Sequence, residues 1–521
     1  MHGLTTGVSA APTDEHARPD RVGARYLATL AAQAVRLAAA AVVAVIVPRA
    51  LGPALYGTYS FLLQTAATLR ACVDVGSQQA FFTFSSQERA SGPLTRLYAL
   101  ALALQFALVM LFVAGAVAAD RYEWLWPGQT PSHIFWVTLV DWALFLVLSL
   151  QQLGDSKGLT IYPQLVGAAA SALALIALLV LWWTGTLGFY SFVWLNLASA
   201  VLTACALVIW LLGRHRGLVW QGAQSVGGYL GRWWQFARPL LLLQIYLPLV
   251  AYLGIWLVQL WNGATEQGYY ALALQWSSLA LVFTNAGVAI FWREIAHQSA
   301  TGGIALAAQT YETFGRPLFF LALALSCGLS AASTTLVVLV AGEQFAPAAA
   351  AVALMAFYPA AQTLGQLSTA ALKATERTST FARLTILLSI PDLLLVWFLL
   401  APRSATIPGL YLGAEGMAIR TALYGLASVH VYDWINCRSM GIGFADVLLR
   451  RLGALVAVGA LAFATLHLGT TWLQEAGASA LVALIAMGVA YAASLLVLLW
   501  LAPAVAGVTR EQMLRALRGT A

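Results

Sequence analysis

Arg36, Arg70, Asp74, Asp141, Asp392, Glu415 and Arg420 stand inside long apolar runs of this sequence. Charge in hydrocarbon is costly, so each such residue needs a partner, a polar cavity or a function. Arginine keeps its charge and presents a planar fork that matches phosphate oxygens. A carboxylate can exchange a proton or hold a small cation. Arg36 and Arg420 have no opposite charge three or four residues away, which marks them as candidate cations facing a cavity. Arg70 and Asp74 are four apart and share a helix face, so they either neutralise each other or form a polar site. Asp141 and Asp392 have no partner nearby in sequence. They either pair with an arginine on another helix or serve ion coupling. Glu415 falls close to an expected membrane edge, where solvation accounts for it. Gln33 lies one turn before Arg36 and extends its polar face, although amides in a helical bundle also bond simply between helices.

The elements that carry these residues follow from composition. Of 521 residues, 61% are hydrophobic and only 9% charged. A soluble protein of this size needs more polar surface. Apolar runs of about 20 residues, the length that crosses a bilayer as a helix, recur along the whole chain. The expectation is a multi-pass helical membrane protein with about 14 spans. Residues 1–26 read as a polar tail, 27–212 as a first lobe of six spans and 213–235 as an interfacial linker. Residues 236–434 read as a second six-span lobe, 435–451 as a basic loop, 452–502 as two further spans and 503–521 as a short tail.

Loop charge fixes the expected orientation. With the N-terminus in the cytoplasm, 21 Lys and Arg fall on the inner side and 3 (Arg49, Arg121, Arg403) on the outer side. This is the positive-inside bias, and it places both termini in the cytoplasm. The net charge of +7 is dispersed over short loops, which argues against nucleic acid as a partner. The four cysteines are isolated and suit neither disulfides nor a metal. No nucleotide-binding or metal-binding motif occurs, and no loop is long enough for a soluble catalytic domain, so an enzyme is not expected.

One spacing recurs. Gly52, Gly57 and Tyr59 follow the first run, and Gly263, Gly268 and Tyr270 follow the seventh, each as Gly, four residues, Gly, one residue, Tyr. The recurrence divides the first twelve spans into two copies of six. An even number of spans per copy relates the lobes by a pseudo-two-fold axis along the membrane normal, with a cavity between them. The segment 224–237 mixes aromatics with Arg232 and reads as a helix lying in the membrane interface.

The stretches Arg49 to Phe61, Phe236-Ala-Arg-Pro-Leu, Gly263 to Ala273 and Gly413-Ala-Glu-Gly-Met-Ala together carry a family resemblance. The chain resembles Wzx-type polysaccharide (O-antigen) flippases of the multidrug/oligosaccharidyl-lipid/polysaccharide (MOP) exporter superfamily. The resemblance implies an alternating-access carrier in a bacterial inner membrane. Its cargo would be an undecaprenyl-diphosphate-linked oligosaccharide used for O-antigen, capsule or exopolysaccharide. It further implies cavity cations meeting the pyrophosphate, for which Arg36 and Arg70 are the first candidates and Arg49 and Arg420 the next, with Gln33 as a neutral polar group of the same cavity. No cofactor is implied. Coupling to a proton or sodium gradient would fall to Asp74, Asp141 or Asp392. Partners would be membrane lipids, a polysaccharide polymerase and a chain-length regulator. Two alternatives stay open: a cation-coupled drug antiporter of the same superfamily, and a membrane-embedded sugar polymerase or transferase.

Overall fold

The structure, a computed structural model, describes residues 22–88, 92–220, 226–238, 241–375 and 377–511. The expected tails at 1–26 and 503–521 therefore lie largely outside the described residues. What is described is all-α. The helices are α1 (Val22–Asp74), α2 (Ser77–Gln87), α3 (Gly92–Ala118), α4 (Pro131–Ser156), α5 (Ile161–Trp183) and α6 (Phe189–Arg214). Two short helices follow, α7 (Gly217–Trp220) and α8 (Val226–Ala237). Then come α9 (Leu241–Trp261), α10 (Gly263–Ala280), α11 (Val282–Ala341), α12 (Ala349–Met355), α13 (Tyr358–Ala374), α14 (Thr378–Leu400) and α15 (Gly413–Met440). The last are α16 (Phe444–Ala462), a π-helical stretch at Phe463–Gly469, α17 (Thr470–Glu475) and α18 (Ala480–Leu501). Helices suit such apolar runs because each satisfies its own backbone hydrogen bonds inside lipid.

Among the described residues, 11 helices are long and apolar enough to cross a membrane, or 12 if one bent pair counts as a span. The sequence led to an expectation of about 14. Two causes of the difference are visible. The first two expected spans follow each other without a loop, as two helices within Ala28–Asp74 that break at the non-helical Gly52 (φ 72°, ψ 169°), so they count as one stretch. The expected twelfth span, α15, carries Arg420, His430 and Asp433 and is too polar to qualify by composition.

The chain forms two compact units. Among the described residues, unit 1 takes 22–40, 65–122 and 131–249; unit 2 takes 41–64, 123–130 and 250–511. The part of the first hairpin around Gly52 thus packs with the second half of the chain. The reason is a backbone crossing inside unit 2. A Cβ on Gly57 would lie 1.9 Å from the Ala264 carbonyl oxygen, and one on Gly268 would lie 2.0 Å from that of Pro53. No side chain fits there, so both positions require glycine. The contact is reciprocal: the second glycine of each motif faces the residue after the first glycine of the other. Both first glycines, Gly52 (φ 72°) and Gly263 (φ 85°), hold the left-handed turn that starts the crossing.

Further bonds fasten the same region. Tyr56 donates to Gln275 Oε1 at 2.7 Å, and Gln344 donates to the Arg49 carbonyl at 3.0 Å. Glu266 accepts the Ala414 N–H at 2.8 Å, so the second motif also caps the start of α15. Tyr252, Trp256 and Gln259 lie on one face of α9. They donate to the carbonyls of Leu125, Trp124 and Pro127 at 3.0–3.1 Å, holding the segment 123–130 as a strap.

In unit 1, Phe81, Phe84, Tyr98, Leu153, Leu211 and Tyr229 form a core. Phe81 and Tyr98 stack at 4.1 Å, a pairing that adds about 1 kcal/mol beyond its buried area. The linker helix α8 joins this core. Arg232 bonds Glu88 at 2.7 Å and covers the Phe84 ring, and Tyr229 donates to the same carboxylate. Lys157 donates to the Ser85 carbonyl at 2.6 Å. Burial pushes its amine down to about 8, against the opposing pull of Glu88. Trp220 and Trp234 remain exposed on the linker, as an interfacial segment requires.

Candidate functional site

Arg36 sits where three helices of unit 1 meet. It is half-buried on α1 and bonds Gln164 of α5. Gly167, one turn after Gln164, leaves the space it needs: a Cβ there would lie 3.3 Å from Arg36 Nη1 and 2.8 Å from the Gln151 amide of α4. Among the described residues no carboxylate lies within ion-pair distance of this guanidinium, although Asp155 is near enough to bear on its charge. A guanidinium has five N–H donors, and a neutral amide neither uses all of them nor cancels the charge. The site can therefore accept an anion. Gln33, one turn earlier, is exposed.

Two further candidate arginines within the spans, Arg70 and Arg420, are neutralised. Arg70 bonds Asp141 through two contacts, Nε to Oδ2 at 2.8 Å and Nη2 to Oδ1 at 3.3 Å. Its guanidinium lies 4.2 Å over the Phe145 ring, so Asp141 and Phe145, one turn apart on α4, form its seat. Arg70 does not hydrogen-bond Asp74, the neighbour its spacing suggested. Arg420, expected to be a cation without a partner, donates through Nε to Asp392 at 2.6 Å and through Nη2 to the same carboxylate. For Asp141 and Asp392, pairing with an arginine on another helix is the arrangement found. Both are nearly fully buried, at 5% and 2% exposure. Arg49 donates to the Leu339 carbonyl in unit 2 and helps hold the Gly52 turn.

Asp74 differs from the other acids. It accepts from Ser77 and, at 3.3 Å, from the Gln78 N–H, and among the described residues no arginine bonds it. It ends α1, just before Val75 and Gly76, both at positive φ.

Sequence reasoning missed Gln151, Gln164 and Gly167. A usable signal was present: an amide and a glycine three apart on one face of the apolar run Ile161–Trp183. It also missed a buried cluster in unit 2, where Asp433 (fully buried) accepts from Tyr311 and Arg451. Tyr311 and Ser368 lie 3.0 Å apart, and Asn436 donates to the Ser368 carbonyl at 2.9 Å. Its members come from α11, α13, α15 and α16, and no spacing in the sequence links them.

No protein-family profile and no curated protein matches the sequence. Solved structures do match the fold. A lipid II flippase, MurJ, described in an inward closed conformation, superposes with a TM-score of 0.63 at 11% identity, over 90% of this chain and 96% of that one. An inward-facing multidrug resistance MATE family transporter of the MOP superfamily gives 0.60 at 13% identity, over 81% of this chain and 98% of that one. The chain has the fold of MOP-superfamily transporters. A third MOP transporter, from Pyrococcus furiosus Vc1, is described as having a binding pocket of reverse polarity; it gives 0.53 at 13% identity, over 80% of this chain and 94% of that one. With the long apolar helices, this fold makes the chain a multi-pass membrane protein.

Proposed function

We propose that this protein is a flippase. It moves an undecaprenyl-diphosphate-linked oligosaccharide across the bacterial inner membrane by alternating access, for assembly of a surface polysaccharide. One observation carries this reading: among the described residues Arg36 has no carboxylate within ion-pair distance and is held inside a span by Gln164 beside Gln151, while Arg70 and Arg420 are paired with carboxylates. A fixed guanidinium flanked by amides suits a pyrophosphate with sugar hydroxyls next to it. Asp74, which unlike Asp141 and Asp392 has no arginine bond, is the group proposed to take the coupling proton.

A cation-coupled drug antiporter is the second reading, favoured by the same Asp74, since a carboxyl without an arginine also suits a cationic cargo. One experiment separates the two. Arg36→Ala at normal protein level is expected to lower surface-polymer export at least tenfold and to cause lipid-linked precursor to accumulate. Arg36→Lys keeps the charge but loses the fork, and is expected to retain part of the export. Full export by Arg36→Ala would overturn the flippase reading, and loss of drug resistance with normal export would establish the antiporter.

A further inference from the structure

A second polar constellation in unit 1 surrounds Asp74, the acid proposed above to take the coupling proton, and it opens into a cavity that the polysaccharide cargo does not use. A cavity of about 420 Å³ opens between the end of α1, α2, α3 and the linker helix α8. Its walls are apolar: Phe81, Leu94, Leu97 and Leu104 are among them. Leu100 and Leu104 on its rim are exposed, at 67% and 59%. They belong to a candidate span, so the cavity is supplied from the hydrocarbon phase. At one end three polar groups converge in a chain. Gln105 Nε2 donates to Ser77 Oγ at 3.0 Å, and Ser77 donates to Asp74. Gln105 is 7% exposed, and its Oε1 is buried with no hydrogen-bond partner. On the wall formed by α8, the Trp233 indole N–H is likewise buried and unpaired.

A buried polar atom left unpaired is destabilising, so an apolar cavity that ends on one points to a missing ligand. The charge at this end selects its chemistry. A carboxylate and a bare amide oxygen are both acceptors, so the ligand must bring a donor, and a cationic one fits best. Beyond them the cavity is lined mainly by apolar side chains and suits a hydrocarbon chain. From this we infer that the cavity binds a single-chain lipophilic amine, its ammonium on Asp74 and Gln105 Oε1 and its chain along α3 toward Trp233. An acceptor atom in the chain near the indole would satisfy the Trp233 N–H as well. The site does not include the Arg36 cluster, so the inference stands apart from the polysaccharide cargo, but it shares Asp74 with the proposed coupling step, and an ammonium there competes with the coupling proton.

The test is photolabelling of the full-length protein in phosphatidylcholine nanodiscs. Three probes share one diazirine-bearing twelve-carbon chain and end in an amine, an alcohol or a carboxylate. The amine is expected to label peptides covering 94–108 and 229–233 saturably, and the carboxylate to leave them unlabelled. Asp74→Asn and Gln105→Leu should each raise the half-saturating amine concentration about tenfold, while labelling by the alcohol stays unchanged. Ala101→Phe fills the cavity wall without touching the acid, and should abolish labelling by both amine and alcohol. Equal labelling by all three probes, or amine labelling unmoved by Asp74→Asn and Ala101→Phe, would overturn the site. So would competition by phosphatidylethanolamine added to the nanodisc, which would make a bilayer lipid the occupant.

Discussion

Arg70–Asp141 and Arg420–Asp392 show how a membrane helix can carry full charge at low net cost. Each carboxylate receives two guanidinium contacts, which satisfies both charges in a medium that offers no water. The pairs are best understood as positioning devices between helices. Removing one partner leaves the other charge buried and alone, at about 3–5 kcal/mol. Asp141→Asn is therefore expected to lower thermal stability in detergent clearly, and the double change Arg70→Met with Asp141→Leu to recover most of the loss. Equal melting of Asp141→Asn and the parent would show that the pair contributes nothing. Lys157 offers a test by pH. Its amine titrates near 8 when folded and near 10.5 when exposed, so the folded state holds fewer protons between those values. The cost of burying the protonated amine is fully present below pH 8 and falls away as pH rises toward 10.5. Stability should therefore increase from pH 7.5 to 9.5, and Lys157→Met should flatten that rise in a melting series. The residue types at these sites were legible in the sequence, because charge in an apolar run stands out. Their partners were not: Arg70 and Asp141 are 71 residues apart, and Asp392 and Arg420 are 28 apart. Helical spacing reports only neighbours on the same helix.

Helices in this chain are shaped by glycine as much as by hydrophobicity. The recurring spacing around Gly52 and Gly263 was readable from sequence as two turns. That the two segments cross each other was not, because a close approach of backbones leaves no trace except the absence of side chains. Gly57→Ala and Gly268→Ala each place a methyl about 2 Å from a carbonyl oxygen, so the helices must separate to accommodate it. Each is expected to reduce folded protein severely on size-exclusion chromatography in detergent. Gly115→Ala, with open space around it, should behave as the parent. A well-folded Gly57→Ala protein would show that the crossing is dispensable. The number of spans was less legible for a related reason. At Gly52 hydropathy and the backbone both mark two helices, but no loop separates them, so they count as one stretch. Where α15 bears Arg420 and Asp433, polarity hides a long helix.

For the molecule as a whole, the fold class followed from composition alone, since lipid admits few ways to satisfy a backbone. The division into compact units did not follow. Hydropathy places cuts between spans, whereas contacts assign residues 41–64 and 123–130 to the unit formed mainly by the second half of the chain. The same fold serves a lipid II flippase and multidrug transporters. Fold similarity therefore leaves the cargo to the site, which in the function proposed here is the Arg36 cluster.

The crossing also imposes an order of events during synthesis. Gly57 leaves the ribosome about 200 residues before Gly268, its partner. At roughly 5–20 residues per second, that is a delay of about 10–40 s. Through that interval the first hairpin sits in the membrane with its glycine face uncovered, and unit 2 cannot close until α10 is inserted. A segment made early is thus among the last to be locked, and a factor that shields small-residue helix faces during insertion would act on residues 41–64.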